Sequence, residues 1–434
     1  MAKRHTNRVY DLESMFVRLE ELVLANSGEN EFEEVFKLLI AKLWDEKNTK
    51  TRRFKVRADN NETYSEVHAL LREAERAWPG ILEPGARPGL TPEHLQVCVE
   101  ALSNHSILDS TFEVLDSFFE FMVSRAAKGT KGQYFTPRYV AELCVRMLAP
   151  HSTETVLDPA CGSGGFLVHA LNHVIKHEQL KGKLIANYCE TKLWGFDIDD
   201  RAVRVAKALM VLSGDGKSNI IRVNSLLKED GNSLLSTQSK DVSTLTVEDV
   251  MRTHRRRHKG FDIILTNPPF AGEVRERQML DSYQVSHGKI RIERDILFLE
   301  RCVELLRTGG RMAIVLPHNK FAAKEFAKVR SWLIQHCRIL AVVGLGRHTF
   351  LPHTHQKASI LFVQKRAERQ AATIDENIYF ALSEKDGKTS KGKLLLKENR
   401  TEDGPIWDRV DHDFDEIVTG FRTFCKQENI RLGS

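Results

Sequence analysis

At 434 residues, with 41% hydrophobic and 28% charged residues, the chain has the composition of a soluble globular protein and exceeds the length at which one core usually stops growing, so two domains are the default. A formal net charge of +5 permits a nucleic-acid partner without establishing one, because an electrostatic footprint depends on clustering. No apolar run reaches membrane-spanning length, "MAKRHTNRVYDLE" lacks the hydrophobic core of a signal peptide, and seven cysteines without a C-x-x-C pair argue against a disulfide framework or a cysteine zinc site; a cytoplasmic chain with no membrane partner is expected.

Residues 1–128 read as a helical domain. In "NEFEEVFKLLIAKLWDE", Phe32, Val35, Phe36, Leu39, Ile40 and Leu43 recur at helical spacing and form one apolar stripe. A second helix is expected from Ser110, where Ser110 and Glu113 have capping-box spacing ahead of Phe112, Leu115, Phe119 and Met122. Between them "WPGILEPGARPGLTPEH", with Pro79, Pro84, Pro88 and Pro92, reads as a loop.

From residue 153 short apolar runs alternate with helical ones. "ETVLDPA", "KLWGFDID", "NIIRVNS", "FDIILTN", "RMAIVLP" and "ILAVVGL" are six strand candidates, with helical segments after the first, second, fourth and fifth. The fold class is therefore α/β, a doubly wound, Rossmann-like parallel sheet behind a helical N-terminal domain. "RILAVVGLG" and "KASILFVQK" are joined by a loop too short for a crossover helix, so an antiparallel pair is expected at the sheet edge. Ligands of such sheets bind outside the carboxyl ends of the strands.

The first carboxyl end reads "DPACGSGGF", Asp158 to Phe166. Gly162, Gly164 and Gly165 allow a sharp strand-to-helix turn and close approach of a ligand to the backbone. Leu167 stands where a dinucleotide-binding loop needs its third glycine, and no Lys-Ser or Lys-Thr pair of a phosphate loop follows; an ordinary tight turn is the competing reading. At the second carboxyl end, Asp197 lies far enough downstream, about 20 residues or more, to reach a ribose hydroxyl. Together they describe a pocket for a nucleoside without phosphates, and S-adenosyl-L-methionine is such a nucleoside.

The fourth carboxyl end, "NPPF", supplies Asn267, Pro268, Pro269 and Phe270. An exocyclic amino group on adenine is a poor nucleophile because its lone pair is delocalised into the ring. If the Asn267 side-chain oxygen and the Pro268 carbonyl each accept one of its N–H bonds, that lone pair becomes directed; the prolines fix the turn and Phe270 offers a flat face for the base. A turn that merely caps a buried strand is the alternative.

In this order, "GQYFTPRYV", "DPACGSGGF", "WGFD" and "NPPF" closely resemble the methylation subunit of type I restriction-modification systems, adenine-N6 DNA methyltransferases of the gamma class. The resemblance runs from the helical N-terminal region to about residue 365. It implies that Gln133, Tyr134, Phe135, Thr136, Pro137 and Arg138 wall the cofactor pocket, that Ser163, Gly164 and Gly165 face the methionine part with Asp158 and Gly162 also among the cofactor-binding residues, that Asp197 holds the ribose, and that Asn224 touches the cofactor's adenine. It makes Asn267 to Phe270 the catalytic tetrad, residues 129–366 the methyltransferase domain, and 367–434 a C-terminal extension able to contact a subunit. Its implied partners are double-stranded DNA and a specificity subunit, with a second copy of the chain and a restriction subunit as further members of the assembly. Members usually run longer, with an extended C-terminal helical region.

An adenine inside a duplex must be flipped out to be reached. Related enzymes clamp it with a second ring from the loop before the last strand, here "GRHTFLPHTHQ", where Phe350 is the candidate. His348, His353 and His355 in the same loop read as solvated histidines rather than metal ligands. "RTHRRRHKG" closes an insertion over 224–260 and reads either as a phosphate-contacting patch or as a solvated loop. In "DFDEIVTGFRTF", Phe414, Ile417, Val418, Phe421 and Phe424 form a helical stripe. A protein glutamine methyltransferase and a non-catalytic cofactor-binding scaffold remain alternatives to the adenine methyltransferase.

Overall fold

The computed structural model describes residues 14–15, 17–22, 27–104, 106–108, 116, 118–119, 121–123, 136–214, 219–228, 245–253, 260–367, 376–397 and 406–432. The chain divides into two compact units, one of residues 1–128 with 204–217, the other of 129–203 with 218–434.

The first unit is helical. Helix α1, Glu31–Asn48, starts where the Asn30 side chain accepts the Glu33 N–H, and it buries all six apolar residues of the expected stripe. Helix α2, Asn60–Ala77, capped by Asp59, and helix α3, Pro92–Ser103, are additions to the two helices expected here. Each repeats the same signal, Val67, Leu70, Leu71 and Ala74 in α2 and Leu95, Cys98, Val99 and Leu102 in α3, all buried. Pro92 is not part of the loop: with Thr91 as cap it occupies the first turn of α3, where its missing N–H costs nothing. The expected helix from Ser110 is described at Asp116, Phe118, Phe119 and 121–123, where Phe119 and Met122 are buried; Ser110, Phe112, Glu113 and Leu115 lie outside the described residues.

The second unit is built on an eight-stranded sheet. Helix α4, Arg138–Leu148, precedes strand β1, Val156–Asp158. Then come α5, Gly165–Glu178; α6, Lys183–Lys192; β2, Leu193–Asp197; α7, Asp200–Leu212, which from residue 204 onward belongs to the first unit; β3, Asn219–Arg222; and β4, Phe261–Thr266. A short ribbon of β5, Glu273–Val274, and β6, Ile292–Glu293, leads into α8, Arg294–Leu305. Strand β7, Leu306–Pro317, α9, Ala327–His336, β8, Cys337–Gly344, β9, Ala358–Lys365, β10, Tyr379–Leu382, and α10, Phe414–Gln427, complete the unit.

The strand order is β10-β8-β9-β7-β4-β1-β2-β3. Strands β1 to β4 and β7 pair in parallel, which puts their carboxyl ends on one side: Val156 opposes both Leu193 and Ile263, and Asp197 opposes Arg222. β9 runs antiparallel to both β7 and β8, as the short connection requires. The sheet continues one strand further, because β10 adds in parallel to β8. Its four residues, Tyr379-Phe380-Ala381-Leu382, form a short apolar run that leaves Phe380 70% and Leu382 59% exposed.

The central strands are buried on both faces, with Trp194 edge-on to Phe196 and Phe261. Helix α10 buries Phe414, Ile417, Val418 and Phe421, the last packing on Phe362 of β9 and Tyr379 of β10. In the 224–260 insertion a short helix, Val247–Thr253, buries Val247 and Val250; of the basic cluster only Arg252, Thr253 and Gly260 are described. Among the described residues, no helix is long and apolar enough to cross a membrane.

Candidate functional site

Four carboxyl ends are stitched together by side chains from each other's strands. Asp158, closing β1, is 1% exposed, and its Oδ1 accepts from the Ala160 N–H at 3.1 Å and the Thr266 hydroxyl at 2.8 Å. The second bond ties the tip of β1 to the last residue of β4, next to Asn267. Asp197, closing β2, accepts the Gly162 N–H at 2.9 Å through one oxygen and the Asp199 N–H at 3.0 Å through the other. Each oxygen keeps a further acceptor direction, which is what a vicinal diol needs. The glycine loop is drawn across β2 as well, since the Cys161 N–H bonds the Phe196 carbonyl at 2.9 Å.

Gly162 and Gly164 have φ of +52° and +87°, left-handed values that make the sharp entry into α5. Gly165 is glycine for a different reason. A Cβ there would stand 1.6 Å from Nη1 of Arg138, whose Nη2 donates to the Ser163 hydroxyl at 3.2 Å. Thr136 is half-buried, and Pro137 caps α4 with its carbonyl, which accepts from Val140 and Ala141. The structure thus brings the end of the Gln-Tyr-Phe-Thr-Pro-Arg segment onto the glycine loop through Arg138. Gln133, Tyr134 and Phe135 lie outside the described residues.

Beyond β3, Asn224 turns its side-chain oxygen back to the Leu226 N–H at 3.1 Å, so the amide closes its own loop. Three residues absent from the sequence-based site fix that loop. The Ser225 hydroxyl donates to the Pro159 carbonyl at 2.7 Å, Arg301 of α8 donates to the Ser225 and Leu227 carbonyls, and the Tyr283 hydroxyl donates to the Leu226 carbonyl at 2.7 Å. Arg301, 3% exposed, is also paired with Glu248. The usable sequence signal is an arginine in the apolar face of an otherwise core-facing helix.

At the end of β4, Asn267 is half-buried, Pro268 is buried, and Phe270 is 7% exposed. Phe270 and Phe350 are together, but as neighbours: their centroids are 5.9 Å apart and their planes 66° inclined, an edge-to-face contact with no gap for a base. Phe350 is 1% exposed, so it fills core in this arrangement. Its loop is held from the C-terminal segment, with His348 Nδ1 2.7 Å from the Asp386 carboxylate and Lys388 donating to the Leu351 carbonyl. His348 therefore has a carboxylate beside it; among the described residues no group of three or more His, Cys, Asp or Glu is placed to hold a metal.

Burial raises the Asp158 carboxyl to about 7, with its bonds to Thr266 and Ala160 opposing and the nearby Asp197 adding to the rise. Burial also raises Asp197, against the pull of the Asp199 and Gly162 N–H groups. Two carboxylates that resist ionisation favour a cationic ligand, which relieves both, and disfavour a pyrophosphate. The residues present thus fit S-adenosylmethionine: a turn with close backbone approach, a carboxylate for a diol, and negative potential for a sulfonium.

Comparison with known proteins agrees with this geometry. A model described as N-6 DNA Methylase matches residues 110–431. The chain is 28% identical over 251 residues to the type I restriction enzyme EcoEI methylase subunit of Escherichia coli, covering 58% of this chain and 46% of that protein. It is 25% identical over 268 residues to the type II restriction enzyme and methyltransferase RM.BcgI of Heyndrickxia coagulans, covering 60% of this chain and 36% of that protein. The chain therefore spans less than half the length of these curated relatives. Among solved structures, the type I restriction-modification methyltransferase subunit from Streptococcus thermophilus aligns with a TM-score of 0.58 at 15% identity, covering 96% of this chain and 93% of that one. A chain from a type I R-M system aligns with a TM-score of 0.62 at 18% identity, covering 99% and 85%. At such identities these two speak for the fold. With the family model matched from residue 110 to residue 431, over a sheet whose carboxyl ends carry the glycine loop and the Asn-Pro-Pro-Phe turn, the chain belongs to the N-6 DNA methylase family.

Proposed function

We propose that this chain is the methylation subunit of a type I restriction-modification or related defence system, transferring a methyl group from S-adenosylmethionine to N6 of an adenine extruded from double-stranded DNA. The observation that carries the reading is the Thr266–Asp158 bond, which ties the residue before Asn267-Pro268-Pro269-Phe270 to the strand end that opens the glycine loop, itself bonded to Asp197 through Gly162.

S-adenosylmethionine supplies an electrophilic methyl on a positively charged sulfur. Asp197 accepts the ribose hydroxyls, and the loop from Asp158 to Gly165, backed by Arg138, receives the methionine part. Asn224 is assigned to the cofactor's adenine.

The Asn267 side-chain oxygen and the Pro268 carbonyl each accept one N–H of the target amine, which directs its lone pair at the methyl. The N–C bond forms as the S–C bond breaks, and the extra proton leaves to water after transfer, so no carboxylate base is needed. Phe270 stacks on one face of the base. Phe350 is the ring available for the other face, and the two must part from their present contact before a base can enter. Choice of DNA sequence falls to a specificity subunit.

The test is transfer of tritiated methyl from S-adenosylmethionine to adenine-containing duplex, with and without candidate specificity subunits, beside a glutamine-containing peptide. Label in the duplex supports the reading. Label in the peptide alone would replace it with a protein glutamine methyltransferase, and cofactor binding without transfer to either would leave a scaffold.

A further inference from the structure

Residues 271–293 join the end of β4 to α8, and they have a fixed body and a bare tip. The body is closed at its base, two residues after the Asn-Pro-Pro-Phe turn, where the Gly272 carbonyl accepts the Arg294 N–H at 3.1 Å and Glu273 and Val274 pair antiparallel with Glu293 and Ile292. It is also bolted down along its length. Tyr283 is fully buried with its hydroxyl on the Leu226 carbonyl, the Glu300 carboxylate accepts the Gln284 and Val285 N–H groups at 2.9 and 2.8 Å, and Trp332 donates to the Gln284 side chain.

The tip is Ile290. At 81% exposed it is the barest of the large hydrophobics among the described residues, and Lys289 and Arg291 flank it. Arg291, 59% exposed in its side chain, reaches Glu273 across the ribbon only at 3.5 Å, and Arg275 on the facing arm is 70% exposed. A lone exposed isoleucine is ordinary on a protein surface. This one stands on a rigid mount that begins two residues after Phe270. Chain connectivity bounds the Ile290–Phe270 Cα separation at about 26 Å, from about 14 Å along the first arm, about 5 Å across the ribbon and about 7 Å back along the second.

We propose that Ile290 is an apolar wedge that enters the base stack of duplex DNA beside the target adenine, with Lys289 and Arg291 on the flanking phosphates. The proposal rests on the reading of the site as a DNA adenine methyltransferase. Apolar side chains inserted between base steps unstack them, and extrusion of a base is easier where stacking is already lost. A rigid mount suits the task because little order has to be gained on binding.

The experiment compares wild type with Ile290→Ala and Ile290→Leu, together with whatever subunits activity requires, on two duplexes. In one the target adenine is paired; in the other it faces an abasic site, which lowers the cost of extrusion. Methyl transfer and the fluorescence of 2-aminopurine at the target position are both read. The expected result is a loss of about tenfold or more for Ile290→Ala on the paired duplex, near wild-type behaviour on the abasic one, and retention by Ile290→Leu. Melting temperature should not change, because the side chain is exposed. Equal losses on both duplexes, or no loss on either, would overturn the wedge while leaving the methyltransferase reading intact. A wild type that neither binds nor methylates any duplex would remove that reading instead.

Discussion

Asp158 shows how a single carboxyl can report on the ligand. Burial raises it to about 7, above its ordinary range, so the folded state holds its proton more tightly than the unfolded chain does. Its contribution to stability is therefore fully present below the ordinary carboxyl range and is lost as pH rises through about 7. A cationic sulfonium nearby favours the ionised form, so S-adenosylmethionine should bind more tightly as pH rises through that range, and S-adenosylhomocysteine, whose sulfur is neutral, should show a smaller rise. Paired calorimetric titrations across neutral pH check this, and equal slopes would place the sulfur away from Asp158. Asn267→Ala should keep cofactor affinity and lose about 100-fold or more in turnover, as removal of one transition-state hydrogen-bonding group does elsewhere. At this scale the sequence is informative where the candidate site rests on a contiguous motif, as for Asn267 and Asp197. It is silent on Ser225–Pro159 and Arg301–Ser225, because those bonds join residues from separate strands and helices.

Among elements, the junction of α4 with the start of α5 leaves no room for a side chain at position 165 while Arg138 keeps its place. Gly165→Ala puts a methyl group 1.6 Å from the Arg138 guanidinium position, and Arg138 is 8% exposed, so the side chain must be displaced. Overpacking of this kind costs about 1 to 3 kcal/mol, and the cost should shrink when Arg138→Ala removes the obstacle. A double-mutant cycle in denaturant reads the coupling; additive losses would mean the glycine is needed for something other than that arginine. Phe350→Ala should destabilise by about 3 to 5 kcal/mol in the same denaturant titration, because the ring is buried against Phe270 as core. The central strands are legible because strands buried on both faces read as continuous apolar runs. β10 carries an apolar run too, but a four-residue one that follows the edge hairpin with no crossover helix to announce a further strand. Helices α2 and α3 carry the required periodicity; in α3 Pro92 masks it, because a proline in the first turn of a helix looks in sequence like a helix breaker, whereas α2 holds no proline and its apolar spacing is open to reading.

For the whole molecule, the chain is a family member spanning about half or less of the length of the curated relatives it matches. The proposed activity includes a partner that supplies sequence choice, and methyl transfer should become site-selective only when that partner is added. The most direct test of the central claim is nucleoside analysis of duplex DNA incubated with labelled S-adenosylmethionine, the chain and its specificity partner. The account predicts label in N6-methyl-2′-deoxyadenosine, abolished by Asn267→Ala while cofactor binding persists. Label on another base, or undiminished label with Asn267→Ala, would contradict it.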